Sequence, residues 1–328
     1  MIVTVQAAAA KVRLSRQSLC IVSVDGSTTR VPFAEIDRLI LGSRVAISPM
    51  CLATLLGKSI PVAIVAHSGQ HLGAFEPASP ARGLSRRLLY QATADPDFVS
   101  AICAKLVIAK INNARRALQR LNSRRVCFDK NILTQFKHLA RDAENTTDVA
   151  SLRGIEGAAA ARYFALWSLF FPAEHPFERR STRPPLNPVN AVLSYISTLV
   201  YGEILSACQS RGLDPAPGCL HVTTDDRFSL PLDLMEPFRP ALIEPLTLRL
   251  FSLGILGRQH FQPHGRGVYL NPAGKSLLFE QYEDRLTKPF TSLQSSQRTT
   301  FRALLSQAPL DFKMSLSDAS RFSPFILH

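Results

Sequence analysis

Pro77-Ala78-Ser79-Pro80-Ala81-Arg82-Gly83 divides this 328-residue chain into two textures. Two prolines and a glycine in so short a stretch fit neither a helix interior nor a sheet ladder, so residues 77–85 read as a linker. Before it, Val3 and Val5, Val12 and Leu14, and Leu19 and Ile21 each lie two apart, the period of a strand. Asp25-Gly26, between runs at 18–24 and 28–32, is a hairpin signal, and Ser68-Gly69 marks another turn. Residues 49–57 fit one short helix. After the linker the period lengthens. Phe98, Ile102, Leu106, Ile108, Ile111 and Leu118 recur near helical spacing over residues 97–122, behind a helix start at Asp95-Pro96-Asp97. The expectation is an α+β chain, β-rich over 1–76 and helical over 86–328. The last twenty residues lose the periodicity and are expected to form a loosely attached tail.

Hydrophobic residues make up 46% of the chain, enough to bury a substantial core and to exclude wholesale disorder. The formal net charge is +13, which favours a polyanionic partner, nucleic acid before membrane; a soluble enzyme that happens to be basic is the other reading. None of the six cysteines forms a C-x-x-C pair, so they read as reduced core residues of a cytoplasmic protein. The opening residues 1–5 lack the basic n-region of a signal peptide. Apolar stretches at 155–171 and 189–208 are interrupted by Glu156 and Arg162 and by Glu203, so no membrane span is expected.

Between 86 and 130 lie ten basic residues against Asp95, Asp97 and Asp129, a local balance of +7. Arg115, Arg116, Arg124 and Arg125 in this segment, and Arg179, Arg180 and Arg183 in a later loop, are candidate DNA-binding residues. A solvated helix face accounts for the same charges.

Four separated pieces carry side chains that suit a divalent metal: Arg153-Gly154-Ile155-Glu156-Gly157, Asn187-Pro188-Val189-Asn190, Leu220-His221 and Leu232-Asp233-Leu234-Met235-Glu236-Pro237-Phe238-Arg239-Pro240. Glu156 falls within a helix expected from Asp148 to about Phe171. Gly154, Gly157 and the following alanines would let other backbone approach closely. A surface pairing of Glu156 with Arg153 is equally open. His221 on its own reads as structural. Asp233 and Glu236 have the spacing of a capping box, Asp233 as N-cap and Glu236 at the third helical position, a duty that does not exclude metal binding. Pro237 and Pro240 predict a kink here. Asn187-Pro188 reads as the start of a helix that Gly212 closes, with Asn190 in a capping or contact role.

In this order, Gly-Ile-Glu-Gly, Asn-Pro-Val-Asn-Ala, Gly-Leu-Asp-Pro, His and Ser-Leu-x-Leu-Asp-Leu-Met-Glu-Pro-Phe-Arg-Pro resemble one family over most of the chain. It is the CRISPR-associated integrase of spacer acquisition, the first of the numbered Cas proteins. Gly267-Val268-Tyr269-Leu270, Gly274-Lys275 and the run from Phe279 to Tyr282 resemble it too. The resemblance implies an N-terminal β-sandwich that dimerises and an all-α, metal-dependent catalytic domain. It implies metal ligands at Glu156, His221 and Glu236, with Asp233 beside them as a supporting or capping residue. It implies magnesium or manganese as the ion, and a homodimer that assembles with the small ferredoxin-like second numbered Cas protein. The substrates would be double-stranded DNA with three-prime overhangs and CRISPR repeat DNA, joined by phosphodiester transesterification. Pro231 departs from the aliphatic residue usual in the family, in what reads as a strand leading to Asp233. A transposon-borne integrase of the same family, a nuclease in DNA repair and a non-catalytic DNA-binding scaffold are the competing readings.

Overall fold

A computed structural model describes residues 2–5, 10–66, 71–77, 83–292 and 296–327. The chain forms two compact units, Met1–Arg86 with Gln209–Gly212, and Arg87–Cys208 with Leu213–His328.

The first unit contains β1 (Ile2–Val5), β2 (Lys11–Ser15), β3 (Ser18–Val22), β4 (Thr28–Pro32), β5 (Arg38–Gly42), β6 (Ala46–Ile47), α1 (Pro49–Gly57), β7 (Val62–Val65) and β8 (His71–Phe75). They form two four-stranded sheets, ordered β1-β5-β7-β8 and β4-β3-β2-β6. Strand β5 pairs in parallel with β1 and β7 and is buried along its whole length, as its apolar run Leu39-Ile40-Leu41 in a parallel sheet requires. One apolar core draws on both sheets, with Val3, Val5, Leu39, Leu41 and Val62 from the first and Val12, Leu19 and Val31 from the second. The Asp25-Gly26 hairpin joins β3 to β4. Gly26 takes φ +82°, and Asp25 Oδ1 accepts from the Ser27 N–H at 2.9 Å. Helix α1 starts on Ser48, whose Oγ accepts from the Cys51 N–H at 3.2 Å. The turn expected at Ser68-Gly69 lies outside the described residues, as does most of the expected linker. The linker's last residues, 83–85, are instead the first turn of a helix.

The second unit holds α2 (Gly83–Ala94, its first turn in the first unit), α3 (Pro96–Arg124), α4 (Thr134–Glu144), α5 (Val149–Trp167), α6 (Pro188–Ser210, its last two residues in the first unit), α7 (Leu230–Met235), α8 (Glu244–Ser252), β9 (Phe261–His264), β10 (Gly267–Leu270), α9 (Pro272–Thr287), β11 (Phe290–Ser292), β12 (Gln297–Thr299) and α10 (Phe301–Met314). The unit is therefore rich in helix but not all-α. Two antiparallel hairpins, β9–β10 and β11–β12, interrupt it. The first turns at Gly265, which takes φ +58°, and such four-residue strands are too short to stand out against helical neighbours.

Helix α3 is the axis of this unit. Asp95 caps it by accepting from the Asp97 N–H at 3.0 Å, and Ile102, Leu106, Val107, Ile111 and Leu118 are buried along it. Helix α5, capped by Asp148, joins the same core through Leu152, Ala159, Tyr163 and Trp167. Helix α6 is long and apolar enough to cross a membrane by length and composition, yet 72% of its most apolar window is buried inside the protein, as befits a core helix.

The C-terminal residues correct the expectation of a loose tail. Phe322, Phe325 and Leu327 are buried, and Lys105 Nζ donates to the carbonyls of Ala319, Ser320 and Phe322. Their apolar residues anchor a strap at irregular spacing, with only the 3-10 turn Ala319–Arg321 within it, which a search for periodicity passes over.

Candidate active site

Asp233 does not cap α7. Ser229 occupies the N-cap position, and Pro231 sits in the first helical turn, where its missing N–H costs nothing. The strand expected around Pro231 is therefore a helix start. Asp233 lies inside α7 and is 1% exposed. Its Oδ2 accepts from the backbone N–H groups of Cys219 at 2.6 Å and Leu220 at 2.9 Å, and its Oδ1 from that of His221 at 2.8 Å. The same Oδ1 meets His221 Nδ1 at 2.6 Å. A carboxylate in such a nest fixes both the loop and the imidazole, and leaves Nε2 as the ring nitrogen that a metal could take. The loop needs Gly218, because a Cβ there would stand 2.6 Å from Ser229 Cβ and 3.0 Å from Asp233 Oδ2. Arg153 does not pair with Glu156. Its Nε donates at 2.6 Å to the Leu220 carbonyl and ties α5 to the histidine loop.

Past α7 the two prolines withhold backbone donors, so the chain makes a 3-10 turn at Glu236–Phe238 and a π-helical segment at Arg239–Ile243 before α8 begins. Asn113 Nδ2 donates at 2.7 Å to the Pro237 carbonyl and at 3.0 Å to that of Phe325, while its Oδ1 accepts from the Leu327 N–H at 2.6 Å. The turn carrying Glu236 is thereby moored to α3 and to the C-terminal strap.

Lys110 of α3 completes the constellation. Its ammonium donates to Glu156 Oε1 and to Glu236 Oε2, and Arg239 Nε donates to the other Glu236 oxygen at 2.7 Å. Burial pushes Glu236 up, but Arg239, Lys110 and His221 together outweigh it and hold the carboxyl at about 2. Burial works against the charge of Lys110, and Glu236 and Glu156 more than restore it. Glu244, also buried, is pushed up to about 7 by burial, against the pull of Lys110 and Arg239.

Among the described residues no three His, Cys, Asp or Glu side chains form a group placed to hold a metal ion. The donor set nevertheless fits one in kind. Glu156 and Glu236 each turn an oxygen to one shared cation, and His221 is held by its other nitrogen in the manner of a metal-bound histidine. Gly154 and Gly157 do not serve close packing: a Cβ on either would meet nothing within 4 Å, so the helix on both sides of Glu156 is bare.

The candidate DNA contacts separate into groups. Arg124, Arg125, Arg179 and Arg183 are exposed. Arg115 is half-buried, and Arg116 Nη1 donates to Gln119 at 3.2 Å. Arg180 is committed inward. Its Nη1 donates to the Ser181 carbonyl at 2.7 Å and Asn190 Oδ1 at 3.0 Å, and its Nη2 to Ser194 at 3.1 Å. Burial depresses its pKa to about 10. Reading the sequence did not single out Lys110, Asn113, Arg239 or Glu244 for the site. Arg239 had a signal, three residues after Glu236 on a helical turn. Lys110 had none, since its partners lie 46 and 126 residues away.

The family model of CRISPR associated protein Cas1 matches residues 3–284. The chain belongs to the Cas1 family. It is 33% identical over 285 residues to a CRISPR-associated endonuclease Cas1 of Chlorobaculum tepidum, covering 83% of this chain and 82% of the relative. It is also 33% identical over 312 residues to a Cas4 exonuclease/Cas1 endonuclease fusion of Rhodospirillum rubrum, of which it spans only 53%. The solved structure of a CAS1 protein from Thermotoga maritima matches with a TM-score of 0.79 and 25% identity over 97% of each chain. The fold alone is shared with a chain of a Cas6-RT-Cas1–Cas2 complex, at a TM-score of 0.79 and 23% identity, and with a casposase bound to its integration product, at 0.70 and 19%.

Proposed function

We propose that this protein is a metal-dependent DNA integrase that inserts prespacer DNA into a CRISPR array by transesterification. The observation that carries this is the meeting of Glu156 and Glu236 on one cation, beside a histidine locked by Asp233, in a chain of the Cas1 family. The three-prime hydroxyl oxygen of the incoming DNA bonds to a phosphorus at the repeat boundary, and the bond from that phosphorus to its old three-prime oxygen breaks. The hydroxyl's proton leaves to solvent, and the departing oxygen takes one up. One phosphodiester replaces another, so the reaction needs no external energy source and no covalent enzyme intermediate. Glu156, Glu236 and His221 would hold magnesium or manganese, which when bound would polarise the attacked phosphate and acidify the attacking hydroxyl. Asp233 orients His221, and Arg239 fixes Glu236. The bare glycine surface beside Glu156 leaves room for a DNA backbone, and Arg124, Arg125, Arg179 and Arg183 supply phosphate contacts without reading sequence.

In this reading the two N-terminal sheets form a β-sandwich that dimerises, with domain limits at 1–76, 77–85 and 86–328. The structural neighbour that is a chain of a Cas6-RT-Cas1–Cas2 complex supports a Cas2-type partner. The casposase neighbour keeps a transposon-borne integrase as the second reading; terminal inverted repeats in place of a repeat array beside the gene would favour it. The test is strand transfer by purified Glu156→Ala and His221→Ala with magnesium and a Cas2-type partner. Both variants are expected to lose strand transfer while retaining DNA binding. Full integration by either refutes the assignment.

A further inference from the structure

Resting on that reading of the site, a role in the reaction follows for Lys110, the cation that meets both acids. Lys110 places its ammonium between Glu156 and Glu236, and its side chain is only 15% exposed. Burying an amine on a flexible stem is costly unless acids surround it, and here two do. Among the side chains joined by these hydrogen bonds the charges balance: Glu156 and Glu236 against Lys110 and Arg239. Arg239 is tied to Glu236 three residues away on the same segment and keeps to one oxygen at 2.7 Å. Lys110 alone spans both acids, so its ammonium occupies the position that a cation shared by those acids would take.

A divalent ion on the same carboxylates leaves the four side chains with two positive charges in excess, and the bond that must give way is that of Lys110. A compact ammonium on four methylenes can swing where a guanidinium held by its neighbour cannot. The excess charge matches an attacked phosphodiester, whose negative charge grows toward the transition state. We propose that Lys110 is a further catalytic residue: a built-in counter-ion that holds Glu156 and Glu236 together without metal and, once displaced, donates to a non-bridging oxygen of the attacked phosphate.

The proposal makes opposite predictions for metal binding and for rate. Manganese titration of the DNA-free protein, followed by electron paramagnetic resonance, is expected to show Lys110→Met binding manganese about tenfold more tightly than the parent, because a competing cation is gone. Its single-turnover strand-transfer rate at saturating manganese is expected to fall about a hundredfold. Lys110→Gln keeps a hydrogen-bond donor between the acids without the charge, and should show the same two shifts if Lys110→Met fails to fold. Unchanged or weaker manganese affinity in the folded variant, or a saturated rate within about twofold of the parent, overturns the proposal. If the parent protein binds no manganese, the metal-site reading falls with it, a failure that the titration of the parent alone reveals.

Discussion

Asp233 and His221 are joined at two points, because one carboxylate oxygen accepts from the histidine's backbone N–H at 2.8 Å and meets its Nδ1 at 2.6 Å. The other oxygen holds the N–H groups of Cys219 and Leu220. Asp233→Asn retains the shape but replaces one acceptor by an amide NH2 donor, which must face an N–H donor it cannot bond. We expect a stability loss of about 2–3 kcal/mol in urea unfolding and roughly 10–100-fold weaker manganese binding. Normal metal affinity in a folded variant would show that His221 needs no such holder.

Glycines flanking the site divide into two kinds. Gly218→Ala puts a methyl 2.6 Å from Ser229 Cβ and is expected to cost about 1–3 kcal/mol through overpacking. Gly157→Ala meets nothing within 4 Å and should gain about 0.5–1 kcal/mol from helix propensity. If DNA runs over that bare face, the more stable Gly157→Ala protein will nevertheless transfer strands more slowly. Thermal melts and a strand-transfer assay on the two variants check both parts.

The division into a β-rich start and a helical remainder was legible because each half keeps its own period, and the caps at Asp95 and Asp148 are local chemistry. What escaped the reading depends on contacts remote in sequence. The spacing of Asp233 and Glu236 is that of a capping box, yet burial turned Asp233 toward a loop twelve to fourteen residues earlier. Arg180 reads as one of three loop arginines, and only the fold shows it spent on Asn190 and Ser194. The hairpins β9–β10 and β11–β12 are too short for periodicity to separate them from helix ends.

Glu244 gives the site a pH signature. Its folded pKa of about 7 stands above the ordinary 4.5 of the unfolded chain, with burial as the main cause, so the folded state binds the proton more tightly. The stabilisation is therefore complete below pH 4.5 and is lost as the pH rises through 7. Glu244→Gln removes this loss. The melting temperature of the variant relative to the parent should climb between those limits and level off above them. A flat difference across the window would mean that Glu244 stays charged in the folded protein.

Asn113 offers the most stringent test of how the site is held. It is wholly buried, and it spends both amide hydrogens and its oxygen on Pro237, Phe325 and Leu327. Phe325 also stacks on Phe238 at 5.3 Å between centroids, so the strap braces the turn of Glu236 through an amide and a ring. Asn113→Ala leaves three buried backbone groups unmatched, and a loss of about 2–4 kcal/mol follows. Stopping the chain after Ser323 removes two of the three partners and the ring but leaves Asn113 bound to Pro237. If the strap positions Glu236, both changes weaken manganese binding, and the truncation does so with the smaller loss of stability. If the strap only adds burial, the truncated protein melts earlier yet binds manganese like the parent. Measuring the melting temperature and the manganese affinity of the same samples separates bracing from bulk stability.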